Sequence, residues 1–248
     1  MSFEPIIDVA QDADDLAARA AAWIAGRMAA APGRFALCLS GGSTPREIYV
    51  RLAAPPLRER VDWTGAHLFW GDERFVPRED PRSNFRMTWE ALLAHVAAPP
   101  QQVHPLDVEA PTPQEAAARY DRLLHDFYGA PKLDPARPLF DLTLLGLGAD
   151  GHTASLFPGS PALDADDRLA VAVEGAMPEA RISLTYRALE ASAEIAFLVC
   201  GEGKRQILRR VLDGDPALPA SRVLAGGAMR DAPLGAVRIF ADRAAFPV

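Results

Sequence analysis

Apolar and polar positions along this chain fall into blocks whose period switches repeatedly between helical and strand-like. Residues 13–31 (ADDLAARAAAWIAGRMAAA) are Ala-rich with helical spacing, and Pro32-Gly33 closes them. FALCLS (35–40) is a continuous apolar run ending at a glycine pair, which predicts a strand buried on both faces of a parallel sheet. Helices are predicted at 45–53 and 83–96, with AHLFWG (66–71) as a strand between them, and QEAAARYDRLLHDFYG (114–129) as a helix stopping at Gly129. Strands are then predicted at FDLTLLGLG (140–148), LAVAVE (169–174), ARISLT (180–185) and IAFLVC (195–200). A helix at KRQILRRVLD (204–213) and a last strand at AVRIFAD (236–242) complete the pattern. The first sheet strand is thus expected near residue 35.

Strands alternating with helices imply βαβ units: an α/β chain with a doubly wound, mostly parallel sheet and helices on both faces. The Pro-rich stretches 97–113 and 131–138 read as surface connections, because the alternation resumes across them. Residues 1–248 are therefore read as a single domain.

Composition narrows the partners. The chain carries 26 Lys+Arg against 33 Asp+Glu, a net charge of −7, with no basic stripe to track phosphates, so nucleic acid is not an expected partner. An anionic ligand must be captured by local groups rather than by a general positive field. The acidic start MSFEPIIDVAQDADD has no secretory pattern, and no apolar run approaches the roughly 18 residues of a membrane span. A cytoplasmic chain without membrane contact is expected. Cys38 and Cys200 sit in apolar strand-like runs, as small buried hydrophobes rather than a disulfide or metal pair.

In open α/β sheets ligands bind outside the carboxyl ends of the strands, and four of those ends are unusual here. Ser40-Gly41-Gly42-Ser43-Thr44-Pro45 follows the first predicted strand. Its glycines permit close backbone approach, and Thr44, Pro45 and Glu47 fit the N-cap, N1 and N3 positions of a capping box. Free helix amides beside hydroxyls make a phosphate site; the plain alternative is a strand-to-helix turn. Gly71-Asp72-Glu73-Arg74 follows the next strand. It is either solvated loop or a place where Arg74 grips a phosphate or carboxylate and Asp72 orients a base or hydroxyl.

Gly146-Leu147-Gly148-Ala149-Asp150-Gly151-His152 contains GxGxxG, but it lies late in the chain without a following ribose-binding acid, against a dinucleotide site. Its His152 is the one histidine of five in a glycine-rich loop at a strand end. Beside Asp150 it reads as a general base or acid, although a lone histidine is often structural. Gly201-Glu202-Gly203-Lys204 opens a helix, with Lys204 either a second cation for an anion or a solvated capping-loop residue. There is no G-x-S-x-G elbow, no HExxH or Cys/His cluster and no Walker A loop. Serine-triad, zinc and P-loop chemistry are therefore not expected.

LSGGSTP (39–45), WGDERFVP (70–77), SN (83–84), ARISLT (180–185), GLGADGHTASLFPGS (146–160) and GEGK (201–204) together resemble the glucosamine-6-phosphate isomerase/6-phosphogluconolactonase family, in the family's order. The resemblance implies a fold shared with glucosamine-6-phosphate deaminases, the substrate 6-phospho-D-glucono-1,5-lactone, and no cofactor. It implies that Gly41, Gly42, Ser43 and Thr44 hold the ligand, that Lys204 and Arg74 meet its phosphate or carboxylate end, that His152 is catalytic, and that Arg181 takes part. The run Tyr186 to Glu190 departs from the family's LPxLNAA.

The mechanism expected is water attack on the lactone carbonyl, with neutral His152 as base and Asp150 or Asp72 fixing its tautomer. Arg74 or backbone amides would meet the oxyanion. The rivals are a glucosamine-6-phosphate deaminase and a non-catalytic sugar-phosphate-binding regulator. Against the first, His152 is followed by Thr153-Ala154-Ser155-Leu156-Phe157-Pro158, with no carboxylate to open a ring; against the second, no helix-turn-helix fits before residue 35. A monomer is expected.

Overall fold

The computed structural model describes residues 5–226 and 236–247. Residues 1–4 of the acidic start lie outside that range. Among the described residues ten strands are formed: β1 Ile6–Ala10, β2 Phe35–Leu39, β3 Ala66–Trp70, β4 Asp72–Arg74, β5 Val103–His104, β6 Phe140–Gly146, β7 Ala170–Val173, β8 Arg181–Leu184, β9 Ser192–Val199 and β10 Ala236–Asp242. The helices are α1 Ala13–Ala30, α2 Ser43–Leu52, α3 Leu57–Arg60, α4 Asn84–Ala91, α5 Pro113–Tyr128, α6 Tyr186–Glu190, α7 Arg205–Leu212 and α8 Pro219–Gly226, with short 3₁₀ turns between.

Seven strands form one parallel sheet in the order β1-β10-β9-β6-β2-β3-β5. The expected α/β class and parallel sheet are present. From β2 the chain steps outward through β3 to β5, then returns to β6 on the other side of β2 and steps outward again. The reversal between β2 and β6 opens a crevice at their carboxyl ends, where such sheets hold ligands. β2 is buried at every position, as its unbroken apolar run predicts. One cluster of buried apolar side chains extends from Leu16 and Ile24 of α1 through Leu37, Leu144 and Phe197 of the sheet to Leu184 of β8.

Three differences from the predicted elements matter. Ile6–Ala10 is a strand, so the sheet begins before residue 35. It is the edge strand beside β10, and Ile6 and Ile7 stay exposed, which leaves no clean alternation to read. The segments 169–174 and 180–185 do not join the parallel sheet. β7 and β8 pair antiparallel with each other, and β8 with β4, as a separate three-stranded sheet in the order β4-β8-β7. The helix expected over 83–96 ends at Ala91 and passes into a 3₁₀ turn, Leu93–His95. No described helix is long and apolar enough to cross a membrane.

Candidate active site at the carboxyl ends of the sheet

The crevice between β2 and β6 widens into a cleft of about 330 Å³. Gly41, Gly42, Ser43, Thr44, Asp72, Arg74, His152, Arg181 and Lys204 all line it, so one cleft gathers the residues singled out from sequence, Asp150 excepted. Two buried tyrosines fix its floor. The Tyr49 hydroxyl of α2 accepts from the Ser40 amide and donates to the Ser40 carbonyl, both at 2.9 Å. The Tyr120 hydroxyl of α5 does the same for Trp70 at 3.0 and 3.1 Å. The ends of β2 and β3, where two site loops begin, are thus clamped by side chains that reach both backbone groups.

The turn after β2 departs from the predicted capping box. The helix begins at Ser43 rather than Pro45, and Gly42 is its N-cap at φ 109°, a backbone angle that favours glycine. Thr44 and Pro45 lie inside the first turn, and Glu47 reaches Arg46 and Arg51 instead of the cap. No side chain caps α2, which with glycine at the N-cap forgoes only a few tenths of a kcal/mol relative to an ordinary Ser, Thr or Asp cap. By contrast Asp12, Ser83 and Thr112 cap α1, α4 and α5. Uncapped amides beside the Ser43 and Thr44 hydroxyls are the kind of groups with which a helix end can receive an anion.

His152 stands in the loop after β6. Its Nδ1 is 2.6 Å from Asp150 Oδ1, and the same oxygen accepts from the His152 amide at 3.1 Å. Partial burial alone would raise the Asp150 carboxyl. The amide and ring of His152 outweigh it and hold the group below the ordinary carboxylate value. An ionised carboxylate only accepts, so Nδ1 carries the ring proton and Nε2 of the neutral imidazole is left with a lone pair. Phe157 packs on the ring at a centroid distance of 4.5 Å. A Cβ at Gly148 would fall 2.1 Å from Nδ1 of His152 and 2.6 Å from the Asp150 carboxylate. Glycine is required there to seat the pair, and in that loop the GxGxxG spacing reflects this close approach rather than dinucleotide binding.

Asp72 does not serve His152. Its Oδ2 accepts from the Ser155 hydroxyl at 2.6 Å and faces Arg181 Nη1 at 3.7 Å, and it is 7% exposed. The antiparallel register sets Asp72 opposite Ser183 and Arg74 opposite Arg181, which brings two arginines to one face. Burial lowers the Arg181 pKa, Asp72 opposes that, and the Arg74 charge adds to it. Nε of Arg74 and Nε of Arg181 are both buried without a hydrogen-bond partner among the described residues. Paired like charges with unpartnered donors fit a site meant for an anion better than they fit a scaffold.

Glu73 is not solvated loop. It is 2% exposed and accepts from the amides of Arg74, Asn84 and Phe85 and from the Ser83 hydroxyl. Desolvation raises its pKa, against those donors. Its neighbours are the start of α4, so its work is to fasten that helix to β4. Ala154, which lines the cleft, sits at φ 49°, a strained position for a non-glycine residue. Lys204 is half-buried in the 3₁₀ turn before α7, and the turn is anchored by Asp242, which accepts from the Gly201 amide at 3.0 Å. Cys38 is buried as expected. Cys200 instead lines the cleft and donates to Asp242 at 3.0 Å, and desolvation pushes its thiol up to about 12.

Sequence reading missed Asp242, and it took in Asn84 only as part of the SN (83–84) resemblance, with no role assigned. Asn84 could have been found by asking why Gly41 is glycine, since Gly41 has no positive φ. Among the described residues no group of three or more His, Cys, Asp or Glu side chains is placed to hold a metal ion.

Fold and cleft define an α/β protein with a cation-lined cleft at the switch point of a parallel sheet. A family model described as glucosamine-6-phosphate isomerases/6-phosphogluconolactonase matches residues 11–230, and the chain belongs to that family. A 6-phosphogluconolactonase of Mycobacterium tuberculosis is 38% identical over 87% of this chain and 90% of its own. The structure of a 6-phosphogluconolactonase from Trypanosoma cruzi superposes with a TM-score of 0.84 at 29% identity, covering 99% of this chain and 97% of the other. A monomeric glucosamine-6-phosphate deaminase shares the fold, with a TM-score of 0.78 at 20% identity over 97% and 98% of the two chains.

Proposed function

We propose that this chain, acting as one domain and as a single polypeptide, hydrolyses 6-phospho-D-glucono-1,5-lactone to 6-phospho-D-gluconate. The observation that carries the reading is the His152–Asp150 pair, because Asp150 accepts from Nδ1 and so makes Nε2 of the neutral ring the proton acceptor, in a cleft lined by cations. Nε2 removes a proton from water as the oxygen bonds to the lactone carbonyl carbon, and charge develops on the carbonyl oxygen. Arg74 and Arg181 are the cations on the β4–β8 face that meet that charge or the carboxylate it becomes. Collapse breaks the bond from the carbonyl carbon to the ring oxygen, which takes the proton back from the imidazolium. Asp150 holds the imidazolium in place between the two transfers. The α2 N-terminus, with Ser43, Thr44 and Lys204, takes the phosphate.

The relatives named 6-phosphogluconolactonase support this reading over the deaminase, as does the segment after His152. Thr153, Ser155, Leu156 and Phe157 are buried there and supply no acid. Acid release from 6-phosphoglucono-1,5-lactone, corrected for spontaneous hydrolysis, tests it against ammonia release from glucosamine 6-phosphate. Catalysed acid release without ammonia is expected, and the reverse result would replace the reading.

A further inference from the structure

Asn84 is the first residue of α4 and is 1% exposed. Its side-chain amide is held from two sides. Nδ2 donates to the Asp72 backbone carbonyl at 2.9 Å and approaches Asp72 Oδ1 at 3.4 Å. Oδ1 accepts from Arg74 Nη1 at 2.8 Å. A flipped amide would set its NH₂ against a guanidinium and its oxygen against a carbonyl, so chemistry fixes this orientation. Glu73 holds the Asn84 amide at 2.7 Å, and the Asn84 carbonyl accepts from Thr88 at 2.9 Å. Arg74 Nη1 also donates to the Arg82 carbonyl at 2.6 Å. With Nη1 engaged twice, the Nε–Nη2 edge remains, the edge that grips two anionic oxygens in parallel.

Gly41 completes the arrangement. A Cβ there would lie 1.9 Å from Asn84 Oδ1 and 2.3 Å from its Cγ, overlaps that no small shift absorbs. The backbone angle does not demand glycine, since Gly41 lies outside the positive-φ region. The space left by the missing side chain is filled by Asn84.

We infer that Asn84 is a positioning residue that aims the Arg74 guanidinium into the cleft, and that Gly41 is glycine in order to seat it. The inference rests on the reading of Arg74 as a group that meets the substrate. Asn84 thereby ties three segments together: the turn after β2, the β4 strand and the start of α4.

The experiment is a double-mutant cycle on kcat/KM for 6-phosphoglucono-1,5-lactone with Asn84→Ala, Arg74→Ala and both. Asn84→Ala is expected to lose roughly 10- to 100-fold alone but under about threefold in the Arg74→Ala background. Equal losses in the two backgrounds, or an Arg74→Ala variant with full activity, would overturn the inference. Should Asn84→Ala fail to fold, Gly41→Ala takes its place, because its Cβ displaces the same amide. It too is expected to cost little once Arg74 is gone, and an undiminished loss there would return Gly41 to direct ligand contact. An inactive wild type would sink both this inference and the reading of the site, whereas an active one with multiplying losses sinks the inference alone.

Discussion

The seven-stranded parallel sheet and the three-stranded antiparallel sheet meet at one cleft but are built by opposite rules. β2, β6 and β9 are nearly continuous apolar runs whose burial supplies stability, and their functional groups sit in the loops beyond them. Those groups arrive already partnered: His152 with Asp150, and the Lys204 turn through Asp242. β4 and β8 instead place charge within the strands. Asp72, Arg74 and Arg181 are ladder residues, the two arginines face one another, and a buried Nε on each lacks a partner among the described residues. The large sheet is consistent with itself at every level. The small sheet is frustrated where an anion would relieve it, as expected of strands shaped by ligand rather than by packing.

The largest expected effect breaks the chemistry while sparing both sheets. His152→Ala should lose about 10²–10⁴-fold in kcat, the usual cost of a general base. The ring packs on Phe157 at the rim of a loop, so the variant should still melt cooperatively. Thermal melting beside background-corrected kinetics checks this, and a folded variant with near-full kcat would remove His152 from the mechanism.

The next pair sharpens the contrast between the sheets. Arg181→Met should cut kcat/KM more than about tenfold. Asp72 keeps its Ser155 contact at 2.6 Å, so the stability loss should stay below roughly 2 kcal/mol. Leu144→Ala, at a fully buried position of β6, should cost about 2–5 kcal/mol yet leave kcat per folded molecule nearly unchanged. Denaturant titration and kinetics on the same preparations decide it. If Arg181→Met proves the less stable of the two, the β4–β8 face belongs to the scaffold.

How much of this was legible from sequence follows the same division. FALCLS, AHLFWG, FDLTLLGLG and IAFLVC are apolar runs that read as buried strands, and the four strand-end segments followed from them. Asp72-Glu73-Arg74 carries no strand signal, because its pairing with Arg181-Ile182-Ser183 is a tertiary event between positions more than a hundred residues apart. The register that sets Arg74 against Arg181 could not be inferred. Glu73 looked solvated because its four donors are the amide of the next residue, Arg74, and backbone and hydroxyl groups at the start of α4, which a sequence pattern does not display. Thr44 looked like a cap because the positive φ of Gly42, which starts the helix early, is invisible in the letters.

Lys204→Ala should raise KM with kcat held within a few-fold. A cation on a phosphate remote from the carbonyl binds ground and transition states alike. A large fall in kcat at constant KM would move Lys204 to the carbonyl, onto the side of the cleft assigned to Arg74 and Arg181. In the same assay a chelator should leave the rate unchanged, and activity lost to EDTA and restored by a divalent ion would overturn the metal-free reading.

The smallest effect concerns pH, and it separates the sheet's outer strands from its ligand end. His67 of β3 and His104 of β5 face each other with Nδ1 and Nε2 3.1 Å apart, and His104 stacks on Phe69 at 4.4 Å. Desolvation, with His67 adding to it, lowers the His104 pKa from 6.5 to about 4. Desolvation and then the Arg34 charge lower that of His67. An imidazole whose folded pKa lies below its unfolded value binds fewer protons in the folded state. Stability should therefore fall as pH drops from about 6.5 toward about 4. Asp150 runs in a different window: its carboxyl is depressed, so its contribution is present above the ordinary carboxylate value and is lost only below it. Melting temperature measured from pH 7.5 down to 4.5 should decline, and His104→Phe should flatten the slope by an amount equivalent to roughly 1 kcal/mol, after allowance for partial exposure. The pH dependence of kcat should be unchanged in that variant, because the proton it reports belongs to the loop after β6. A kinetic profile that shifts with His104→Phe would mean that the far edge of the sheet is coupled to the cleft.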